Sequence, residues 1–220
     1  MKHSGHRAFV AAALALSATC GAWAAGLDSL EQFLRQARTG QADFTQVVTT
    51  PGRDGQPPRS KTQTGNFAFE RPGKFRFIYR KPFEQTIVAD GQTLWLYDAD
   101  INQVTARRQE QVLGSTPAAI VAAAPDLKTL QKTFDLADEP DQNGLQWVRA
   151  TPKTRDTQIQ TVRVGFKPAT TGAPELAALE ITDSFGQRST LTFTDFQNNP
   201  ALPPQTFEFH PPAGADVIRE

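Results

Sequence analysis

The chain has 220 residues, with 23 Lys and Arg against 23 Asp and Glu, three histidines and one cysteine. Balanced charge gives no electrostatic footprint for nucleic acid, and a lone cysteine gives neither a disulfide framework nor a thiolate metal cluster.

The first 24 residues read as an export signal. Lys2 and Arg7 form a positive head, "AFVAAALALSA" an apolar stretch too short to span a bilayer, and Ala22-Trp23-Ala24 a small-residue cleavage site. Cleavage after Ala24 leaves residues 25–220 as one domain, expected as a water-soluble monomer. It removes His3, His6 and Cys20; an anchored form lipidated on Cys20 is the alternative, but Ser17 and Thr19 fit a lipoprotein signal poorly. The remainder carries 21 basic and 23 acidic residues, net −2, no cysteine and one histidine, His210. Metal clusters and Cys/His or Ser/His/Asp sets thereby lose their usual members, and no glycine-rich phosphate loop is present, so neither an enzyme nor a cofactor site is expected. Asp98 and Asp100 form a D-x-D pair, but "YDADINQ" reads as a hairpin turn.

Taken in chain order, "GLDSLEQFLRQARTG" predicts a helix over 27–38. Asp28 and Glu31 read as its capping pair, Leu27, Leu30, Phe33, Leu34 and Ala37 as its apolar stripe, and Gly40 as its stop. A strand follows at 42–48, then a polar, Pro/Gly-rich connection over 49–64. In "GNFAFERPGKFRFIY" the apolar positions alternate. Pro72 disfavours a two-residue turn, because tight hairpin turns need φ > 0 at their first central residue. A three-residue loop, Pro72-Gly73-Lys74, pairs Arg71 with Phe75 and sets Phe67, Phe69, Arg71, Phe75, Phe77 and Tyr79 on one face, with Phe75 at its rim. Glu70, Lys74, Arg76 and Arg80 then face water. An unpaired buried charge costs several kcal/mol, so something must meet Arg71.

"EQTIVADGQTLWLYD" predicts a hairpin turning at Asp90-Gly91, with Ile87 opposite Leu94 and Val88 opposite Thr93. Trp95 and Tyr97 share one face, taken as the inner one, and Leu94 and Leu96 the other. "NQVTARR" gives a sixth strand. The period then changes: Ser115 or Thr116 caps a helix, Pro117, Ile120, Val121 and Ala124 fall on one face of it, Pro125 ends it, and Asp126 to Lys132 form a second short turn. This alanine-rich helical segment, 117–132, has little apolar area with which to dock tightly. Strands resume at 133–138, 144–152, 161–167, 176–183 and 189–197, and the tail 207–217 ends in a short strand. About ten or eleven antiparallel strands in one sheet must curl or close. The fold class is therefore mainly β with α: an incomplete, unclosed antiparallel barrel with a helical lid over an apolar cavity. The lining residues are Phe67, Phe69, Phe75, Phe77, Tyr79, Trp95, Tyr97, Ile120 and Val121. At the rim, Arg71 can donate to carbonyls left unpaired at a helix end.

Over nearly the whole exported chain these segments resemble the periplasmic outer-membrane lipoprotein carrier family, LolA. The resemblance rests on the opening helix with "ADFTQ", "GNFAFERPGKFRFIY" with its Arg-Pro pair, "VADGQTLWLYD", "QVT", the Thr-Pro helix, "WVRATPK" and "FEFHPPAGADV", in that order. It implies a periplasmic chaperone that takes acylated lipoproteins from an inner-membrane ABC release complex to the outer-membrane acceptor LolB. It further implies that Arg71, the arginine of the Arg-Pro pair, latches the lid, and that Phe75 sits where the family handles cargo and the membrane machinery. The 51–63 connection, with two glycines and three prolines, departs from the family pattern. The alternatives are a LolB-like acceptor, which needs a lipidated cysteine, and another periplasmic lipid-binding protein.

Overall fold

The structure is a computed structural model and describes residues 25–52, 55–112, 124–154 and 158–220. Among them a short helix, α1 (Gly26–Gln36), opens the fold. Six strands follow: β1 (Thr39–Thr50), β2 (Arg59–Glu70), β3 (Lys74–Lys81), β4 (Gln85–Asp90), β5 (Thr93–Asp98) and β6 (Gln103–Arg108). Helices α2 (Gln109–Val112) and α3 (Leu127–Thr133) lie between β6 and β7 (Phe134–Gln142). Then come β8 (Leu145–Pro152), β9 (Ile159–Lys167), β10 (Glu175–Asp183) and β11 (Arg188–Asn198), a 3-10 turn at Pro204–Phe207, and β12 (Asp216–Arg219).

All twelve strands form one sheet, ordered β12-β6-β5-β4-β3-β2-β1-β11-β10-β9-β8-β7, so the edge strands do not meet and the barrel is unclosed. It is two meanders joined where β1 pairs with β11. The pairing is antiparallel except at β12, which lies parallel to β6 where an all-antiparallel sheet was expected. This topology puts β6 and β7 on opposite sides of the sheet.

Several local expectations are corrected. Half of the connection read over 49–64 is strand: β1 runs to Thr50 and β2 begins at Arg59, with Thr49 opposite Ser60 and Val47 opposite Thr62. Thr-rich polar alternation pairs as well as apolar alternation does when both strands face water. Asp28 does not cap α1. The Leu27 N–H donates to Asp138 Oδ1 on β7 at 2.7 Å, so the orphan donors of the first turn find a partner from another element. Helix α3 follows the expectation, with Asp126 accepting from the Thr129 N–H at 2.7 Å.

The predicted β2–β3 loop is displaced. Glu70 pairs with Lys74 and Phe69 with Phe75, so Arg71-Pro72-Gly73 is the turn, and the Arg71 N–H donates to the Arg38 carbonyl at 2.8 Å. A slip of two residues preserves which residues share a face. Likewise the β4–β5 turn is Gly91-Gln92, and Ile87 lies opposite Leu96 and Val88 opposite Trp95.

Candidate functional site

One face of the sheet carries the aromatic row. Phe67, Phe69, Phe75, Phe77 and Tyr79 are at most 9% exposed, and Phe69 and Phe75 are wholly buried. Phe75 is therefore within the packed face and not at its rim. The rings close on one another: Phe67 and Phe77 stand 4.5 Å apart, Phe44 and Tyr79 5.0 Å, and Phe67 and Phe193 5.4 Å. Burial pushes the Tyr79 hydroxyl up to about 12. Gly40 belongs to this packing, because a Cβ there would lie 2.2 Å from the Phe69 ring.

The amphipathic stripe of α1 covers this face. Leu30, Phe33, Leu34 and Ala37 are buried, and the Phe33 ring packs 5.8 Å from Phe69 and 5.3 Å from Phe166. Ala124 and Leu130 of the β6–β7 connection are buried in the same cluster. Ile120 and Val121, expected to line the cavity, lie outside the described residues.

Arg71 sits where these covers meet. It is 7% exposed. Its Nε donates to the Ala37 carbonyl at 2.9 Å, where α1 ends, and its Nη1 to the Ala124 carbonyl at 3.1 Å. The guanidinium also lies 5.0 Å from the Phe33 ring centre and 4.9 Å from that of Phe69, within cation–π range. Burial, with the charge of Arg38 added, lowers its pKa to about 10. One side chain thus joins the β2–β3 turn to both covering segments.

Sequence reasoning missed Gln109. At the start of α2 it is buried; its Nε2 donates to the Gly73 carbonyl at 2.6 Å, and its Oε1 accepts from the Gly91 N–H at 2.9 Å. It pins the root of the connection to two turns, one of which carries Arg71. Nothing in the local pattern around an isolated glutamine signals such a role.

Trp95 and Tyr97 are not on this face. Cross-strand pairing runs Phe77–Ile87–Leu96 and Phe75–Ala89–Leu94, so Leu94 and Leu96 face the aromatic row. Trp95 and Tyr97 point to the outer side, against Phe209 of the C-terminal tail at 5.5 Å and 6.2 Å. The outer side also bears a groove of about 540 Å³ lined by polar and apolar residues, including Gln41, Asn66, Arg76, Ile78 and Thr206. Asp98 and Asp100 form a turn, the Asp98 carboxylate accepting from the Asp100 N–H at 3.1 Å.

An unclosed, curled sheet whose aromatic face is covered by helical segments, with the covers tied to a single arginine, defines a half-barrel with a capped apolar interior. The sequence pattern of the family described as "Outer membrane lipoprotein carrier protein LolA" matches residues 35–210. The chain belongs to the LolA family. The outer-membrane lipoprotein carrier protein of Albidiferax ferrireducens is 64% identical over 210 residues, 95% of this chain and 98% of that one. The protein of the same name from Methylibium petroleiphilum is 48% identical over 209 residues, covering 95% and 96%. Among solved structures, an uncharacterized conserved protein from Thermus thermophilus shares the fold, with TM-score 0.52 and 15% identity over 88% of this chain and 96% of that one.

Proposed function

We infer that this protein carries lipoproteins across the periplasm, from an inner-membrane ABC release complex to the acceptor LolB, with the acyl chains against the aromatic face of the sheet. Residues 1–24 direct export and residues 25–220 are the carrier. Membership of a family whose relatives are named lipoprotein carriers supports the reading. The observation that carries it is that Arg71 bonds the carbonyls of Ala37 and Ala124; in this reading they are the bonds of the shut cover, lost when it opens.

Acyl chains need the space that Phe33 and the connection residues fill. To enter, they must lift the cover and break the Arg71 bonds. Hydrogen bonds to charged groups contribute roughly 1.5 to 3 kcal/mol each, so losing one shifts the closed-to-open balance by a factor on the order of ten to a few hundred. Cargo is then held less tightly than the apolar face alone would hold it. That lets it pass to an acceptor with no source of energy beside it.

The test is release. Spheroplasts incubated with the protein should lose a newly made outer-membrane lipoprotein into the soluble fraction as a complex with it, and added LolB should take the lipoprotein over. Retention of the lipoprotein on the spheroplasts would rule the carrier reading out.

A further inference from the structure

The two ends of the sheet differ in what their turns display. Register places the Arg71 turn, the Gly91-Gln92 turn and the β7–β8 turn at one end. The β1–β2 loop and the β3–β4, β5–β6 and β10–β11 turns lie at the other. Among the described residues four large hydrophobic side chains are exposed: Phe83 (48%), Ile101 (64%), Phe185 (71%) and Ile218 (38%). Three of the four occupy turns of this second end.

Phe185 is held out by an ordered turn. The Asp183 carboxylate accepts from the N–H groups of Phe185 and Gln187 at 2.9 Å and 2.8 Å, and the Asp183 carbonyl accepts from Gly186 at 3.1 Å. Phe83 follows Pro82, with the Lys61 ammonium 4.2 Å from its ring centre. Exposed cations surround both rings: Arg59 and Lys61 on β2, Arg80 and Lys81 ending β3, and Arg188 opening β11. None of the five pairs with a carboxylate among the described residues. Glu84 and Asp183 are the acids in the same stretch, and Asp183 is occupied by its turn. In a chain that is net −2 without its signal, this is a local excess of positive charge.

We propose that this end of the sheet docks on a bilayer surface bearing anionic headgroups, with Phe83 and Phe185 entering the interface and the five cations facing the headgroups. The rings stand on separate turns four strand spacings apart, roughly 19 Å along the sheet. With cations between them they make no contiguous apolar patch of the kind a protein partner buries. Isolated aromatic tips flanked by Lys and Arg are instead the arrangement that suits a headgroup layer, where rings partition and cations meet lipid phosphate. Ile101 lies outside the contact, because Asp98 and Asp100 beside it repel an anionic surface. Docking needs no cargo, so its failure would leave the carrier reading untouched.

The purified protein is floated with vesicles of phosphatidylcholine alone and of phosphatidylcholine with one third phosphatidylglycerol. It should float with the anionic vesicles, stay behind with the neutral ones, and be released by added salt. Phe83→Ser with Phe185→Ser should lower the bound fraction about fivefold or more, as should Lys61→Glu with Arg188→Glu, while Ile101→Ser binds as wild type. Unchanged melting temperatures would show that each variant is folded. Failure of the wild type to float with anionic vesicles overturns the proposal, which would leave a protein partner as the occupant of this end. So does flotation of the double phenylalanine variant at the wild-type level, or equal loss in Ile101→Ser.

Discussion

Strands β3, β4 and β5 are covered on both faces, and the two covers are attached differently. On the outer face Val88, Trp95, Tyr97 and Val104 lie beneath the tail that carries Phe207 and Phe209. That tail ends in β12, laddered to β6 from Asp216 to Arg219, and the Thr206 carbonyl accepts from Arg76 Nη1 at 3.0 Å. On the inner face Phe75, Phe77, Ala89 and Leu94 belong to the buried cluster that also takes in α1 and Ala124 and Leu130 of the β6–β7 connection, and Arg71 bonds both the end of α1 and Ala124. Val88 and Val104 are as fully buried as Phe75 and Ala89, while Trp95 and Tyr97 are half-buried. The two covers differ in how they are attached: the outer one ends in a strand ladder, whereas the inner one is held by side-chain bonds, from Arg71, from Gln109 at the root of the connection, and to α1 from Asp138 on β7.

Substitutions that split the two faces test this directly. The largest effect should come from Phe75→Glu, which buries an unpaired charge at a cost of several kcal/mol. If the inner cover is the separable one, it should lift while the sheet stays folded. A hydrophobic dye should bind several-fold more strongly, with the emission of Trp95 and Trp147 unchanged, since the side chains of both lie off the aromatic face. Loss of the tryptophan signal together with the dye response would mean that the two faces are one cooperative core. A smaller effect is expected on the outer side: Phe209→Ala removes two ring contacts and should lower stability by about 1 kcal/mol, shift the Trp95 emission to the red, and leave binding of an acylated lipopeptide unaltered.

The smallest effect is one of pH. Burial alone would raise the Asp90 pKa, but hydrogen bonds from the Thr93 N–H, the Trp95 ring N–H and the Gln92 N–H outweigh it and hold the carboxyl below its ordinary value. A depressed carboxylate contributes stability that is present above the unfolded value, near pH 4, and lost as pH falls through the lower folded value. The melting temperature should therefore drop on acidification below about pH 4, and Asp90→Asn should flatten the part of that drop due to this group. An identical pH profile in the variant would assign the drop to other groups.

How much of this was legible in the sequence depended on whether local rules sufficed. Alternation from Phe67 to Tyr79 identified the inner face, since a slip of two residues in the β2–β3 register leaves faces unchanged. It did not decide between Trp95/Tyr97 and Leu94/Leu96, because both pairs are apolar. That choice is made by the β3–β4 register, which sets Phe77 opposite Ile87 and Phe75 opposite Ala89, and by where Phe209 returns, a contact separated by more than a hundred residues. The cap of α1 was misread for the same reason: Asp138 reaches it from β7. Arg71 stood out because a charge in an apolar row needs partners, whereas Gln109, a polar residue at an element boundary, raised no such conflict.

The central claim is that Arg71 makes the inner cover releasable without making it loose. The most direct measurement is the affinity of the Arg71→Leu protein for an acylated lipopeptide, together with its rate of transfer to purified LolB. Loss of the closed-state bonds should favour the open form, so the variant should bind about tenfold more tightly or better and hand over correspondingly more slowly, with Arg71→Lys intermediate because an ammonium cannot reproduce the guanidinium fork. Weaker binding than wild type, or transfer at the wild-type rate, would contradict the account and leave Arg71 as a packing residue of the β2–β3 turn.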